Sequence, residues 1–310
     1  MREAAIRVHR YGDPEGFDLR SAIAGRLGIS LDQVTLGSGI DDLLLLVCRT
    51  FLNPGTAAVM SLGGYPTFAY AARGVGATVH TTPYSNDGND IQRLADLARE
   101  TSARVVYLAN PDNPTGSWLL PEAVLQFRNA LPQDCLLLLD EAYFEFAPAA
   151  PIISVDDPGV IRLRTFSKAH GMAGARIGYA IACKEACAEM EKIRLHFGVN
   201  LVAQAGALAS LEDRSYVESV IQRTASARTR LAQIAVSVGM APLPSATNFV
   251  TMDAGSRVRA EAILTELLER DVFIRKPGAA PFDRCIRVTV GTEAQMDLFA
   301  EHLRQVVSRI

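Results

Sequence analysis

Two periodicities alternate along the chain. Segments in which apolar residues return every three or four positions, as on a helix with one buried face, alternate with short apolar runs bounded by Gly, Pro, Asn and Asp. The pattern predicts a helix over 17–28, a strand running into Gly37, a helix from Asp41 to Phe51 and a strand over 57–61. Helix 67–74, strand 77–82, helix 90–100, strand 103–109, helix 121–130 and strand 135–140 follow through short connections. Strands over 159–165 and 177–182 bracket a loop of small residues, and a helical stretch over 184–238 is broken near Gly198 and Asp213. Beyond Pro242 and Pro244 the order becomes strand 247–252, helix 257–270, short strands 272–276 and 285–290, and a terminal helix over 294–308.

Strands such as 103–109 and 135–140 lack polar alternation, which suits a mostly parallel sheet covered by helices on both faces. The expected class is therefore α/β, with a second, smaller α+β unit. A single core usually stops growing near 310 residues, so two domains are expected, 1–212 and 213–310. Composition narrows the function. With 31 basic and 34 acidic residues and no basic block, nucleic acid is not expected as a partner. The longest apolar runs fall far short of the ~20 residues of a membrane span, and no apolar segment follows the charged start, so a cytoplasmic location is expected. Five cysteines without a CxxC pair suggest a reducing compartment and no metal site.

In sheets of this class ligands gather beyond the carboxyl ends of the strands, and four loops there carry unusual chemistry. Gly37-Ser38-Gly39 opens a helix whose free N–H groups suit a phosphate, or is simply a tight turn. In Asn110-Pro-Asp-Asn-Pro-Thr-Gly116 two prolines stiffen a run of amides; Asn113 either donates to a ligand or closes its own turn. Asp140, before Glu141-Ala142-Tyr143, ends an apolar strand, where a carboxylate calls for a cation, a cap or an arginine. Lys168 lies among small residues in Arg164-Thr-Phe-Ser-Lys-Ala-His-Gly-Met-Ala-Gly-Ala-Arg176; a solvated lysine is the ordinary reading, a nucleophile toward carbonyls the other.

Together these loops resemble the fold type I pyridoxal-phosphate enzymes, the aspartate aminotransferase superfamily, and most closely its histidinol-phosphate aminotransferase-like branch. The resemblance runs from Tyr11 to the C-terminus and rests on Asn113-Pro-Thr-Gly116, Asp140-Glu-Ala-Tyr143, Ser167-Lys168 with Arg176, and Ile286-Arg-Val-Thr-Val-Gly-Thr292. It implies a pyridoxal 5′-phosphate-dependent aminotransferase that moves an amino group between an amino acid or related amine and a 2-oxo acid. Lys168 would then carry the cofactor and serve as base, Asp140 pair with the pyridine nitrogen, and Asn113 and Tyr143 donate to the phenolic oxygen. Thr165, Ser167, Arg176 and the helix start at Gly39, Ile40 and Asp41 would hold the phosphate. The resemblance further implies a homodimer in which Tyr11 reaches the neighbouring phosphate. Phe68, rather than Tyr65, matches the aromatic on the cofactor ring, Arg287 the clamp for a substrate carboxylate, and Arg275 a second arginine facing the distal end of the substrate.

Two features depart from the family pattern. The arm that usually precedes the segment matching Tyr11 is missing, which a short product, a start placed late or a more open pocket would each explain, and His170 replaces a bulky apolar residue; a packed or solvent-facing imidazole is expected there. The same site could serve a decarboxylase of the threonine-phosphate type. A Rossmann enzyme for dinucleotide or adenosylmethionine would account for Gly37 and Gly39 alone, and a non-catalytic descendant of the fold leaves the full residue set without a purpose.

Overall fold

The computed structural model describes residues 1–310. A short helix α1 (Arg2–Ala5) and α2 (Phe17–Leu27) lead to β1 (Val34–Gly37) and α3 (Ile40–Phe51). The alternation continues through β2 (Ala57–Ser61), α4 (Pro66–Gly74), β3 (Thr78–Thr82), α5 (Ile91–Glu100), β4 (Val105–Ala109), α6 (Pro121–Ala130) and β5 (Leu136–Asp140). Then come β6 (Val160–Thr165), β7 (Gly178–Ala182), α7 (Lys184–Glu191), α8 (Leu201–Glu212) and α9 (Arg214–Ser237). The chain closes with β8 (Ala241–Pro242), β9 (Phe249–Asp253), α10 (Arg257–Leu268), β10 (Cys285–Thr289) and α11 (Glu293–Val307).

Seven strands form one sheet in the order β1-β7-β6-β5-β4-β2-β3. Pairing is parallel from β6 to β3, whereas β7 runs antiparallel to both its neighbours. Every residue of β4 and β5 is buried, as a sheet clothed on both faces requires. One face packs on α3, α4 and α7 through Leu43, Leu44, Phe68 and Met190; the other packs on α5 and α6 through Leu94, Val124 and Phe127. Leu137, Leu138 and Leu139 have no exposed surface, and each such side chain contributes about 1.5–3 kcal/mol by leaving water.

A second core joins α9, α10 and α11 to the antiparallel sheet β10-β9-β8. The Asp213 side chain accepts from the Tyr216 N–H and starts α9 where the amphipathic pattern changes. We propose on these grounds the division into 1–212 and 213–310. The expected strand over 272–276 does not form. Only Arg275 pairs there, in an isolated bridge to Arg287, because the chain meets Pro277, which has no N–H to extend a ladder. No helix is long and apolar enough to cross a membrane.

Candidate active site

The carboxyl ends of β4, β5 and β6 and the turn after β1 converge on a cavity of about 220 Å³. Asp140, the last residue of β5, forms part of its wall and is 3% exposed. One carboxylate oxygen accepts from the Ala142 N–H at 2.9 Å and the other from the Tyr107 hydroxyl at 2.7 Å. Burial pushes the Asp140 pKa up to about 6, against the opposing pull of these bonds and of Lys168. The arginines of β6 do not neutralise it: Arg162 and Arg164 flank Leu163, the register partner of Asp140, and on the other face of the sheet they pair with buried Glu141, at 3.1 and 2.7 Å.

Lys168 is half-buried on the facing loop, its ammonium 5.2 Å from the centre of the Tyr143 ring. The chain has only four lysines. Lys184, Lys192 and Lys276 each meet a carboxylate or carbonyl, while the side-chain amine of Lys168 makes no hydrogen bond or ion pair. Burial lowers its pKa, a shift that Asp140 partly offsets. A lysine that sheds its proton more readily than a solvated one is a better nucleophile.

An anion cradle lies across the cavity. Helix α3 starts at Ile40 behind Gly39, and no side chain caps its first turn, so its dipole end is open. Gly39 adopts φ +85°, and a Cβ there would lie 2.5 Å from Nη2 of Arg176. Glycine at this position therefore lets the guanidinium rest against the helix start. Arg176 itself has φ +56° and is steadied by the Ala173 carbonyl at 2.9 Å, with Asp41 3.5 Å away. Thr165 and Ser167 complete this side; the Thr165 hydroxyl donates to Ser167 Oγ at 2.8 Å and accepts from the Ser167 N–H at 3.1 Å.

Arg287, on β10, closes the cavity against Asn113, in the loop after β4. The Arg287 guanidinium donates to Asn113 Oδ1 and lies 4.8 Å from the centre of the Phe249 ring. Its Nε is buried without a partner, and burial lowers its pKa. The asparagine does not close its own turn; its oxygen is used by arginine, leaving the amide N–H groups for the cavity. Tyr143 packs edge-on to Phe249 at 5.5 Å, and burial drives its pKa upward. Behind the loop, fully buried Asp112 accepts from the Thr115 hydroxyl at 2.8 Å, Asn89 at 3.1 Å and Tyr84 at 3.2 Å. These bonds fix the loop on which Asn113 stands.

Three candidates lie elsewhere. Phe68 has no exposed surface and stacks on Tyr107 with ring centres 4.9 Å apart, so it belongs to the core and does not line the cavity. Tyr65 lines it instead, its hydroxyl donating to Asp41 at 2.8 Å. Tyr11 is 82% exposed, outside the cavity of its own chain, and packs at a tilt on Phe197 with ring centres 4.5 Å apart. Arg275 is exposed in an adjoining cleft of about 570 Å³ that shares Tyr65, Asn113 and Arg287 with the cavity. His170 is packed and neutral, bonded to Ser210 at 2.7 Å, with its pKa lowered to about 4 by burial. Sequence reasoning ranked Tyr65 below Phe68 and overlooked Tyr107 and the Asp112 network. A tyrosine inside the apolar run Val105–Ala109 was the signal for Tyr107.

A phosphorylated pyridine aldehyde fits this set. The cradle at Gly39 offers space and positive charge, Lys168 a free amine, Asp140 a buried carboxylate, and Arg287 an orphaned Nε. The model for aminotransferase class I and II matches residues 2–303. Histidinol-phosphate aminotransferase 2 of Carboxydothermus hydrogenoformans is 33% identical over 99% of this chain and 86% of its own length. Histidinol-phosphate aminotransferase 1 of Dechloromonas aromatica is 36% identical over 98% of this chain and 84% of its own. The structure of the Sinorhizobium meliloti histidinol-phosphate aminotransferase in complex with pyridoxal-5′-phosphate superposes with a TM-score of 0.97 at 46% identity, covering 99% of this chain and 85% of that one. The Rossmann reading of Gly37 and Gly39 is thereby set aside: the chain belongs to the aminotransferase class I and II family and is a pyridoxal-phosphate-dependent transaminase.

Proposed function

We propose that this transaminase exchanges an amino group between an amino acid held by its α-carboxylate and an amine or oxo compound with an anionic distal end, of the histidinol-phosphate type. When bound, the cofactor supplies an aldehyde for capture of amines and a conjugated ring that accepts electrons from Cα. The protein supplies the rest. Thr165, Ser167, Arg176 and the N–H groups of Gly39, Ile40 and Asp41 anchor the phosphate dianion. The Asn113 amide and the Tyr143 hydroxyl would donate to the phenolic oxygen, and Tyr65, which lines the cavity, would supply the aromatic contact first assigned to Phe68. The Lys168 amine would hold the cofactor's aldehyde carbon and serve as the base that moves the proton at the substrate's Cα. Asp140 keeps the pyridine nitrogen protonated.

Arg287 orients the carboxylate through its planar fork, and its bond to Asn113 links substrate clamp to cofactor donor. Arg275, in the adjoining cleft, meets the distal anion. Tyr11, with Phe197 and the exposed Ile6, Val8 and Leu195, supports a homodimer in which each chain lends Tyr11 to its neighbour's phosphate. A cytoplasmic setting accords with this reading.

The observation that carries the proposal is the joint placement of the free amine of Lys168 and the buried carboxylate of Asp140 on one cavity with the Arg176 cradle. The L-threonine-O-3-phosphate decarboxylase of Porphyromonas gingivalis shares the fold, with a TM-score of 0.81 at 21% identity, and that likeness reaches no further than the fold. Adding single amino acids and histidinol phosphate to the holoenzyme tests the proposal: the absorbance of the bound cofactor should convert to that of its amine form without release of carbon dioxide. Carbon dioxide release without that conversion would refute it.

A further inference from the structure

Asp140 receives two hydrogen bonds, and they differ in origin. The Ala142 N–H is backbone and would be present with any side chain at that position. The Tyr107 hydroxyl is a side-chain donor that the sequence had to provide. Register explains how it arrives: parallel pairing sets Ala109 beside Asp140 and Tyr107 beside Leu138, so Tyr107, two residues before Ala109, shares the face of the sheet on which Asp140 stands. The ring is fixed by its nearly parallel stack on Phe68, at an interplanar angle of 13°. Its hydroxyl has no other partner. The charges that face the pair are Lys168 and Asp41, which act on Asp140 in opposite senses, and Asp112, which lies on the tyrosine side together with the Tyr84 phenol. Arg162 and Arg164 flank Leu163, the register partner of Asp140, and so face the other side of the sheet, where they pair with Glu141; the arginines on the cavity itself are Arg176 and Arg287.

We infer that Tyr107 is a positioning residue that holds the Asp140 carboxylate ionised and aimed into the cavity, and so sets the protonation of the cofactor's ring nitrogen. The inference rests on the role assigned above to Asp140. A carboxylate so deeply buried gains from each donor, and a bond to a charged acceptor is among the stronger ones a protein makes. Without the hydroxyl the proton between ring and carboxylate shifts toward Asp140, and the ring becomes a poorer acceptor of electrons from Cα.

The test is Tyr107→Phe in the holoenzyme, a change that keeps the stack on Phe68 and removes one oxygen. The bound cofactor, labelled with ¹⁵N in its ring, should show a nitrogen resonance displaced toward the unprotonated position. The amino-acid half-reaction should slow by about ten- to a hundredfold, the range of one bond to a charged group, while the amino acid's dissociation constant stays within about twofold. In an Asp140→Asn background the same substitution should change neither quantity. An unmoved nitrogen resonance in Tyr107→Phe, or an equal slowing in the Asp140→Asn background, overturns the inference and leaves the function standing. A parent protein that takes up no cofactor overturns both.

Discussion

Replacing Gly39 by Ala probes the cradle with a single methyl group. The new Cβ would lie 2.5 Å from Nη2 and 3.0 Å from Cζ of Arg176, too close for any real contact, so the guanidinium must swing away from the start of α3. The substitution also places a side chain at φ +85° and ψ 175°, a region essentially confined to glycine, which costs about 1–3 kcal/mol of backbone strain. The two effects separate against Gly55→Ala, because Gly55 has φ +84° and nothing within 4 Å. Both variants should lose similar thermal stability, and only Gly39→Ala should lose the guanidinium's bond to the phosphate. One charge-assisted bond contributes about 1.5–3 kcal/mol, so the cofactor dissociation constant should rise by about ten- to a hundredfold. Spectrophotometric titration of apoprotein with pyridoxal 5′-phosphate measures it. Equal cofactor affinity in Gly39→Ala and Gly55→Ala would show that Arg176 does not hold the phosphate.

Three further outcomes are expected. Glu145 has one buried carboxylate oxygen without a partner, and burial raises its pKa to about 7, above the value of an unfolded glutamate. The folded state therefore holds the extra proton, stability falls as pH rises from about 4.5 to 7, and Glu145→Gln should raise stability by roughly 2–3 kcal/mol at pH 8 and by little at pH 4, read as denaturant midpoints. Arg287→Lys loses the planar fork and the bond to Asn113, and should weaken amino-acid binding in the half-reaction by about tenfold or more; unchanged affinity would remove Arg287 from the carboxylate site. Phe68→Ala should cost about 3–5 kcal/mol of folding stability, as a fully buried ring does, whereas Tyr65→Ala should chiefly weaken cofactor binding; the reverse assignment would restore Phe68 to the ring face.

The order of helices and strands was legible because each carries its own period, and the chemistry of the loops was legible because polar residues at strand ends are costly unless they are used. What connects distant parts of the chain was not. Nothing in the local pattern says that β7 reverses direction, or that Arg287 reaches Asn113 across 174 residues. Phe68 and Tyr65 were exchanged for a reason of helix phase. Pro66 begins α4, so Phe68 falls on the inward face with Ala71 and Ala72, while Tyr65 precedes the first turn and turns to the cavity. Asp140 was read as needing a cation, a cap or an arginine, and the arginines of the neighbouring strand face the other side of the sheet, where Glu141 takes them.

The central claim is that Lys168 is the amine that binds the cofactor. With four lysines in the chain, borohydride reduction of the holoenzyme followed by peptide mass spectrometry decides it. The account expects one pyridoxyl group per chain, on the peptide containing Lys168, and none after Lys168→Ala. A pyridoxyl group on Lys184, Lys192 or Lys276 with Lys168 unmodified would contradict it.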